Sequence, residues 1–360
     1  MNRITSVASI GLVLTLATAC GGVEGVQGGS GGSTTFQLAN PNAPADSSTR
    51  IIDWWSEQVE ESVPDAVNFE QKTAGSLLPG PEVREGVGEG RAAGGQLIPS
   101  YHPAEMPLSN VTSVPVPYDT EVIAKAFFKL IQENEQVAAE YSDAGLEPLF
   151  VAPTSTWMLA TRQPVTSPDQ LQGLKLRLLP PAVDAYTQFG VEPVFVASDE
   201  MYESLERGVI DGVSSVINVL YTNGVHEVAP NFTIDGIGNY TVWVFVMNKD
   251  QFDSLDDSVK QAMTEAAGEA TEAGSAIVSE VETEACEGIL AEGGTITSFS
   301  EENQERVRTA AEVLVETWYS TAEEAGAERA NLESIWDEYN RYLEEFESTS
   351  TYESGIEPCL

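Results

Sequence analysis

Basic residues are scarce in this chain, whose 360 residues hold 17 Lys+Arg against 57 Asp+Glu for a formal net charge of −40 at pH 7. A field of that sign repels phosphate backbones and anionic lipid headgroups, which excludes nucleic acid as a partner. Histidine is scarcer still, with only His102 and His226. Neither has a neighbour at metal-ligand spacing, so a zinc hydrolase and a His-based triad both lack their parts, and no Gly-x-Ser-x-Gly elbow occurs. No metal or cofactor is expected, and both histidines read as loop or surface residues. Gly88 to Ala93 fits the glycine pattern of a dinucleotide fingerprint, but a helix rather than a strand precedes it. Paired carboxylates for glycosidic chemistry cannot be singled out among 57 acids. Cysteine is limited to Cys20, Cys286 and Cys359.

What is present begins with a processing signal. Residues 1–19 carry Arg3, an apolar run from Val7 to Leu16 too short to span a bilayer, and small residues up to Ala19. Cys20 directly after them has the form of a bacterial lipobox. Cys20 is therefore expected to be lipidated and to anchor the chain outside the cytoplasm. Gly21 to Thr34 is expected to be a flexible Gly/Ser-rich tether of roughly 20 Å reach. Removing residues 1–19 takes away Arg3 and no acid, so the mature charge would be −41. Cys286 and Cys359 then remain as an even pair in an oxidising compartment, and are expected to form a disulfide. With 42% hydrophobic residues, the rest can bury a core of one large or two medium domains.

The most informative stretch runs from Leu171 to Asn223. Leu174, Leu176 and Leu178 alternate with Lys175 and Arg177, the period of a short strand with Arg177 on one face. Val183 to Gly190 reads as a short helix and Pro193 to Val196 as a second apolar run. Met201, Leu205 and Val209 form one stripe of a helix begun by Ser198 or Asp199. Strand, helix, strand, helix in about forty residues is the grammar of a parallel α/β sheet, with ligands at the carboxyl ends of its strands.

Gly173-Leu174-Lys175-Leu176-Arg177, Glu200-x-Tyr202-x-x-Leu205 and Gly208-Val209-Ile210-Asp211-Gly212 together resemble the signature of solute-binding proteins of tripartite ATP-independent periplasmic (TRAP) transporters, dicarboxylate-binding type. Gly75-Ser76-Leu77 with Glu82 and Gly90, Pro164-Val165 with Asp169-Gln170-Leu171, and Val246-Met247-Asn248-Lys249 follow in the family's order. The resemblance implies a two-lobe α/β fold with hinge strands and a long helix spanning the lobes. It further implies capture of a small organic acid and delivery to TRAP membrane subunits, without catalysis. Arg177 takes the position whose arginine makes a bidentate salt bridge to a substrate carboxylate. Where the family often has Glu-Asn, this chain has Ser214 and Ser215; where many members carry a second arginine, it has Trp157. Lys175 and Arg177 would supply the local basic focus that an acidic surface requires.

In the remaining chain, Thr35–Ala39, 66–71, Gly94–Ile98, Leu146–Ala152, Trp157–Thr161 and Thr241–Asn248 read as strands. Ser47 onward, Pro81–Arg91, Asp119–Tyr141, Asp256–Cys286, Glu301–Tyr319 and Asn331–Phe346 read as helices. Residues 99–117, with five prolines, read as a loop that brings Tyr101 to the site. The candidate ligand set is Arg177, Ser215, Trp157, Asn40, Tyr101, Glu82 and Trp243. Lobe I is expected over 35–155 and 240–285, lobe II over 156–239 and 286–346, and over 347–360 a tail frayed except for Cys359. A binding protein of an ATP-driven importer, a ligand sensor and, more distantly, a secreted hydrolase are the alternative readings.

Overall fold

The computed structural model describes residues 26–28, 33–179, 182–196 and 198–360. Cys20 and its signal lie outside the described residues. The first run of elements is β1 (Val26–Gly28), β2 (Thr34–Ala39), α1 (Ser47–Ser62), β3 (Val67–Lys72), α2 (Val83–Gly88), β4 (Gly94–Leu97), α3 (Thr120–Glu133), α4 (Glu135–Ser142) and β5 (Leu146–Ala152). The second is β6 (Trp157–Thr161), β7 (Lys175–Arg177), α5 (Val183–Thr187), β8 (Glu192–Val194), α6 (Met201–Glu206), β9 (Gly212–Val216), α7 (Ile217–Thr222), α8 (Val225–Val228) and β10 (Asn231–Ile234). Then follow β11 (Trp243–Asn248), α9 (Lys249–Asp253), α10 (Asp257–Ala291), β12 (Thr295–Ser298), α11 (Glu301–Ala311), α12 (Val313–Glu324) and α13 (Arg329–Glu347).

Two mixed sheets result. One has the order β1-β2-β4-β11-β5 with β3 along the other edge of β2, and the second has the order β12-β10-β6-β9-β7-β8. Parallel pairing is confined to part of each sheet: β7 is parallel to β8 and β9, whereas β6 is antiparallel to both β9 and β10. The strands of the central stretch are thus parallel as expected, within a sheet that is mixed as a whole. The chain crosses from β5 in the first sheet to β6 in the second through only four residues, 153–156. β11 returns the chain to the first sheet, where all six of its residues are buried.

Local chemistry sets the helix boundaries. Asp46 caps α1 by accepting the Ser48 N–H at 2.9 Å, one residue earlier than expected, and Ile51, Trp55 and Val59 form its buried stripe. The single helix expected over Asp119–Tyr141 is divided at Asn134. That residue leaves helical dihedrals (φ −102°, ψ 108°), and its side chain accepts the N–H groups of Gln136 and Val137. Glu301–Tyr319 is likewise two helices, α11 and α12. Val209 falls beyond α6 and is exposed, so the stripe expected there ends at Leu205. Val26–Gly28, inside the expected tether, pairs antiparallel with Thr34–Phe36.

The chain passes between the sheets more often than expected. α10 is 35 residues long, about 52 Å at 1.5 Å per residue, and packs on α1 and β5 at one end and α7 at the other. Phe299, Val307, Ala311 and Leu314 join the core of the second sheet. α13, however, buries Leu332, Ile335, Tyr339, Tyr342 and Leu343 in the core that holds α3. Assigning 286–346 as one block to lobe II is corrected on that ground.

The tail is not frayed. Glu121, buried in α3, accepts from the Thr351 N–H at 3.0 Å and the Thr351 hydroxyl at 3.1 Å. Glu282, buried in α10, accepts from Tyr352 Oη at 2.7 Å, the Gly355 N–H at 2.9 Å and the Thr156 N–H at 2.6 Å. Burial pushes the Glu282 carboxyl up against the pull of those donors. Burial also pushes Glu121 up, but Lys125 and Thr351 outweigh it and leave that carboxyl below its ordinary range. Gly355 lies so close to α10 that a Cβ there would stand 2.1 Å from the Ser279 carbonyl. Cys286 and Cys359 are disulfide-bonded across 73 residues, and Ile356 is buried beside them.

A Cys286→Ser/Cys359→Ser variant should unfold in urea with a stability loss of up to about 4 kcal/mol, the chain-entropy value for a loop of this length. Two separately alkylated thiols in unreduced wild-type protein, or an unchanged urea midpoint, would count against the staple.

Candidate ligand-binding site

β7 places Arg177 at the centre of a cleft between the two sheets. Leu176 and Leu178 point into the core of the second sheet, so the alternation of the strand turns Arg177 to the other face. The guanidinium is held from both neighbouring strands. Its Nε donates to the Val196 carbonyl after β8 at 3.0 Å, and its Nη1 donates to the Ser214 carbonyl in β9 at 3.3 Å. Arg177 is 2% exposed, yet among the described residues no carboxylate forms an ion pair with it. Burial draws its pKa below the ordinary value, against a smaller opposing effect of Tyr101 and Tyr240. A fixed, desolvated and unpaired guanidinium is an anion receptor by construction.

Aromatic rings and short polar side chains wall the cleft, which encloses about 80 Å3. Trp157 stacks on Tyr240 at 4.0 Å and 22°, and its indole Nε1 has no partner among the described residues. Tyr101, half-buried, reaches the cleft because Gly80 leaves room: a Cβ there would lie 2.9 Å from its ring. Ser215 and Trp243 also line it, the latter set edge-on to Phe150 at 5.9 Å. Behind this wall Tyr186 donates to Asp235, both fully buried. Burial raises the pKa of each, and for Tyr186 the Asp235 charge adds to the rise.

Two candidates stand elsewhere. Asn40 is fully buried and spent on its own loop, donating to Thr49 Oγ1 and Gln71 Oε1 at 3.0 Å and accepting from the Asn42 N–H. Glu82 sits at the surface against Arg91 at 3.4 Å. Lys175 is exposed and does not line the cleft, so Arg177 is its one basic group among the described residues. His102 is buried in its loop as expected, and His226 is partly buried in α8, 3.2 Å from the exposed Glu292.

Sequence reasoning missed the wall opposite Arg177. Asp46 is 2% exposed; its Oδ1 accepts from Ser48 Oγ at 2.6 Å and Asn42 Nδ2 at 3.0 Å, and burial raises its pKa against the pull of these donors. From α7, Asn218 Nδ2 donates to Asp46 Oδ2 at 2.8 Å and to Ser47 Oγ at 3.1 Å, so these bonds join the two lobes. Gln96, Ser155 and Thr241 also line the cleft, each with a buried polar atom that has no partner among the described residues. Thr241 has φ 63°, a left-handed conformation costly for a β-branched residue, where the chain returns to β11. Only Asp46 carried a signal, as a possible N-cap one residue before Ser47.

Two α/β lobes meeting over a cleft with one buried arginine give the architecture of a solute-binding protein of the TRAP type. The family model described as bacterial extracellular solute-binding protein, family 7, matches residues 39–322, and the chain belongs to that family. It is 25% identical to the ectoine-binding periplasmic protein TeaA of Halomonas elongata over 67% of this chain and 73% of that protein. It is 27% identical to the C4-dicarboxylate-binding periplasmic protein DctP of Rhodobacter capsulatus over 59% of this chain and 65% of the relative. A marine metagenome TRAP solute-binding protein specific for aromatic acid ligands superposes with a TM-score of 0.76 at 23% identity, covering 86% of this chain and 99% of that one. A second, in complex with pyroglutamate, gives 0.74 at 20% identity over 86% and 99% of the two chains.

Replacing a buried unpaired charge by an apolar side chain of similar length removes a desolvation cost. Arg177→Met should therefore raise the unfolding free energy of the ligand-free protein by about 1–3 kcal/mol while abolishing acid binding. A loss of more than about 1 kcal/mol in urea would show that Arg177 is structural.

Proposed function

We propose that this receptor holds its ligand's carboxylate on Arg177, closes its lobes over it, and hands it to a membrane transporter from a lipid anchor at Cys20. The carrying observation is the buried guanidinium, fixed by Val196 and Ser214 and left without a counter-charge among the described residues. Its free edge is the one strong donor in the cleft, and its planar fork matches a carboxylate. Trp157 packs against the ligand body, and Tyr101, Ser215 and Trp243 border it. Lobe I contributes Asp46 and Gln96 and lobe II contributes Arg177 and Asn218, so a ligand touching both stabilises the closed form over the open one. Hinge motion would concentrate in 153–156 and 235–242. Binding without turnover fits relatives that are binding proteins, such as those for ectoine and C4-dicarboxylates. Energy would come from an ion gradient through TRAP membrane subunits.

Arg177→Lys keeps the charge and loses the fork. Calorimetry should show the affinity for the acid ligand falling by about 1.5–3 kcal/mol with the fold intact; unchanged affinity would remove Arg177 from the site. For the anchor, native protein should partition into detergent with a lipid mass increment, and Cys20→Ser should be released. Soluble native protein with an unmodified N-terminus would end that part of the proposal.

A further inference from the structure

The cleft is polar in two unequal ways. Arg177 and the Trp157 indole N–H donate, and Arg177 is the single cation among the described residues that line it. The single acid among the described lining residues is Asp46, from the other lobe. Asn218 fixes what that side presents. Both hydrogens of its Nδ2 are used, one on Asp46 Oδ2 at 2.8 Å and one on Ser47 Oγ at 3.1 Å. A carboxylate accepts only, so the amide cannot be turned round. Its Oδ1 is therefore a committed acceptor, buried and without a partner among the described residues, on a side chain that lines the cleft. A buried acceptor left unpaired is costly, and a ligand group that donates to it would remove that cost.

We propose that the ligand is an acid with a single carboxylate that also carries an N–H donor, cationic or amide, and that Asn218 backed by Asp46 selects for it. This rests on reading Arg177 as the carboxylate anchor. A dicarboxylate fits poorly, because its second charge would find no second cation and would face Asp46 and the Asn218 carbonyl. A ligand with ether or lactone oxygen in place of N–H would set lone pair against lone pair at Asn218. Gln96 and Ser155, both with an unpartnered oxygen, can turn to follow either chemistry and so do not discriminate.

Isothermal titration of the purified protein with pyroglutamate, its lactone isostere 5-oxotetrahydrofuran-2-carboxylate, ectoine, succinate and malate tests this. Pyroglutamate or ectoine should bind at least about tenfold tighter than the lactone and both dicarboxylates. In Asn218→Leu the preference for N–H over lactone oxygen should shrink to about twofold. Arg177→Lys should weaken all acids by a common factor and leave the preference unchanged. The selection is overturned if either dicarboxylate or the lactone binds as tightly as the better N–H acid, if neither N–H acid binds, or if Asn218→Leu keeps the preference. Failure of the anchor shows separately, as Arg177→Lys binding undiminished. Since the preference is read first in the wild-type protein, a poorly folding Asn218 variant does not decide the outcome.

Discussion

A guanidinium withdrawn from water and denied a carboxylate is the interaction on which the rest of this structure depends. Such a charge costs several kcal/mol, more than one or two hydrogen bonds return. It persists because β7 is flanked on both sides, so β8 and β9 present carbonyls to it, while Leu176 and Leu178 commit the strand's other face to the core. The register admits no compromise: a slip by one residue would turn Arg177 inward and the leucines into the cleft. The two lobes must also meet, since only their contact keeps the site dry enough for the charge to be felt at full strength.

Contact between the lobes is arranged through carboxylates placed where they are hardest to accommodate. Asp46 serves as helix cap, as acceptor for Asn218 across the cleft, and as the acid of the ligand wall. Glu282 ties the tail to Thr156 in the passage between β5 and β6, while Glu121 holds the same tail against α3. The tail thereby runs from the α3 face of the first lobe to the disulfide at the far end of α10. Strain at Thr241 sits on the return passage to β11. Fixed polar bonds on one passage and a left-handed threonine on the other are what any relative motion of the lobes would have to alter.

The central strand and its arginine were legible because a period of two, two prolines and an ordered set of motifs all concern neighbours in sequence. What was illegible concerns neighbours in space. Asn40 and Asp46 bracket the same loop, and nothing in ANPNAPADSS tells which side chain the turn spends on itself and which it shows to the cleft. The helix-forming pattern is continuous through Asn134, and only the backbone there reveals that the side chain caps a second helix. In α13 the apolar stripe announces burial and is silent about the partner, which proved to be α3. The tail looked too polar to dock because its partners, Glu121 and Glu282, are two acids among 57 with no local mark.

The surface charge and the cleft obey different electrostatics. Spread over the exterior, a net charge of −40 acts at long range, and at physiological salt it is screened within roughly 8 Å. Arg177 acts over one contact in a medium from which water is excluded, where the same unit charge is several times stronger. A ligand whose net charge is zero, with its carboxylate and its N–H donor divided between Arg177 and the Asp46 side, crosses the outer field without repulsion and is still recognised by charge inside. A second carboxylate would meet opposition at both stages, first from the exterior and then from Asp46. The same arrangement therefore serves entry and selection together, and it allows an acidic exterior to surround a receptor for acids.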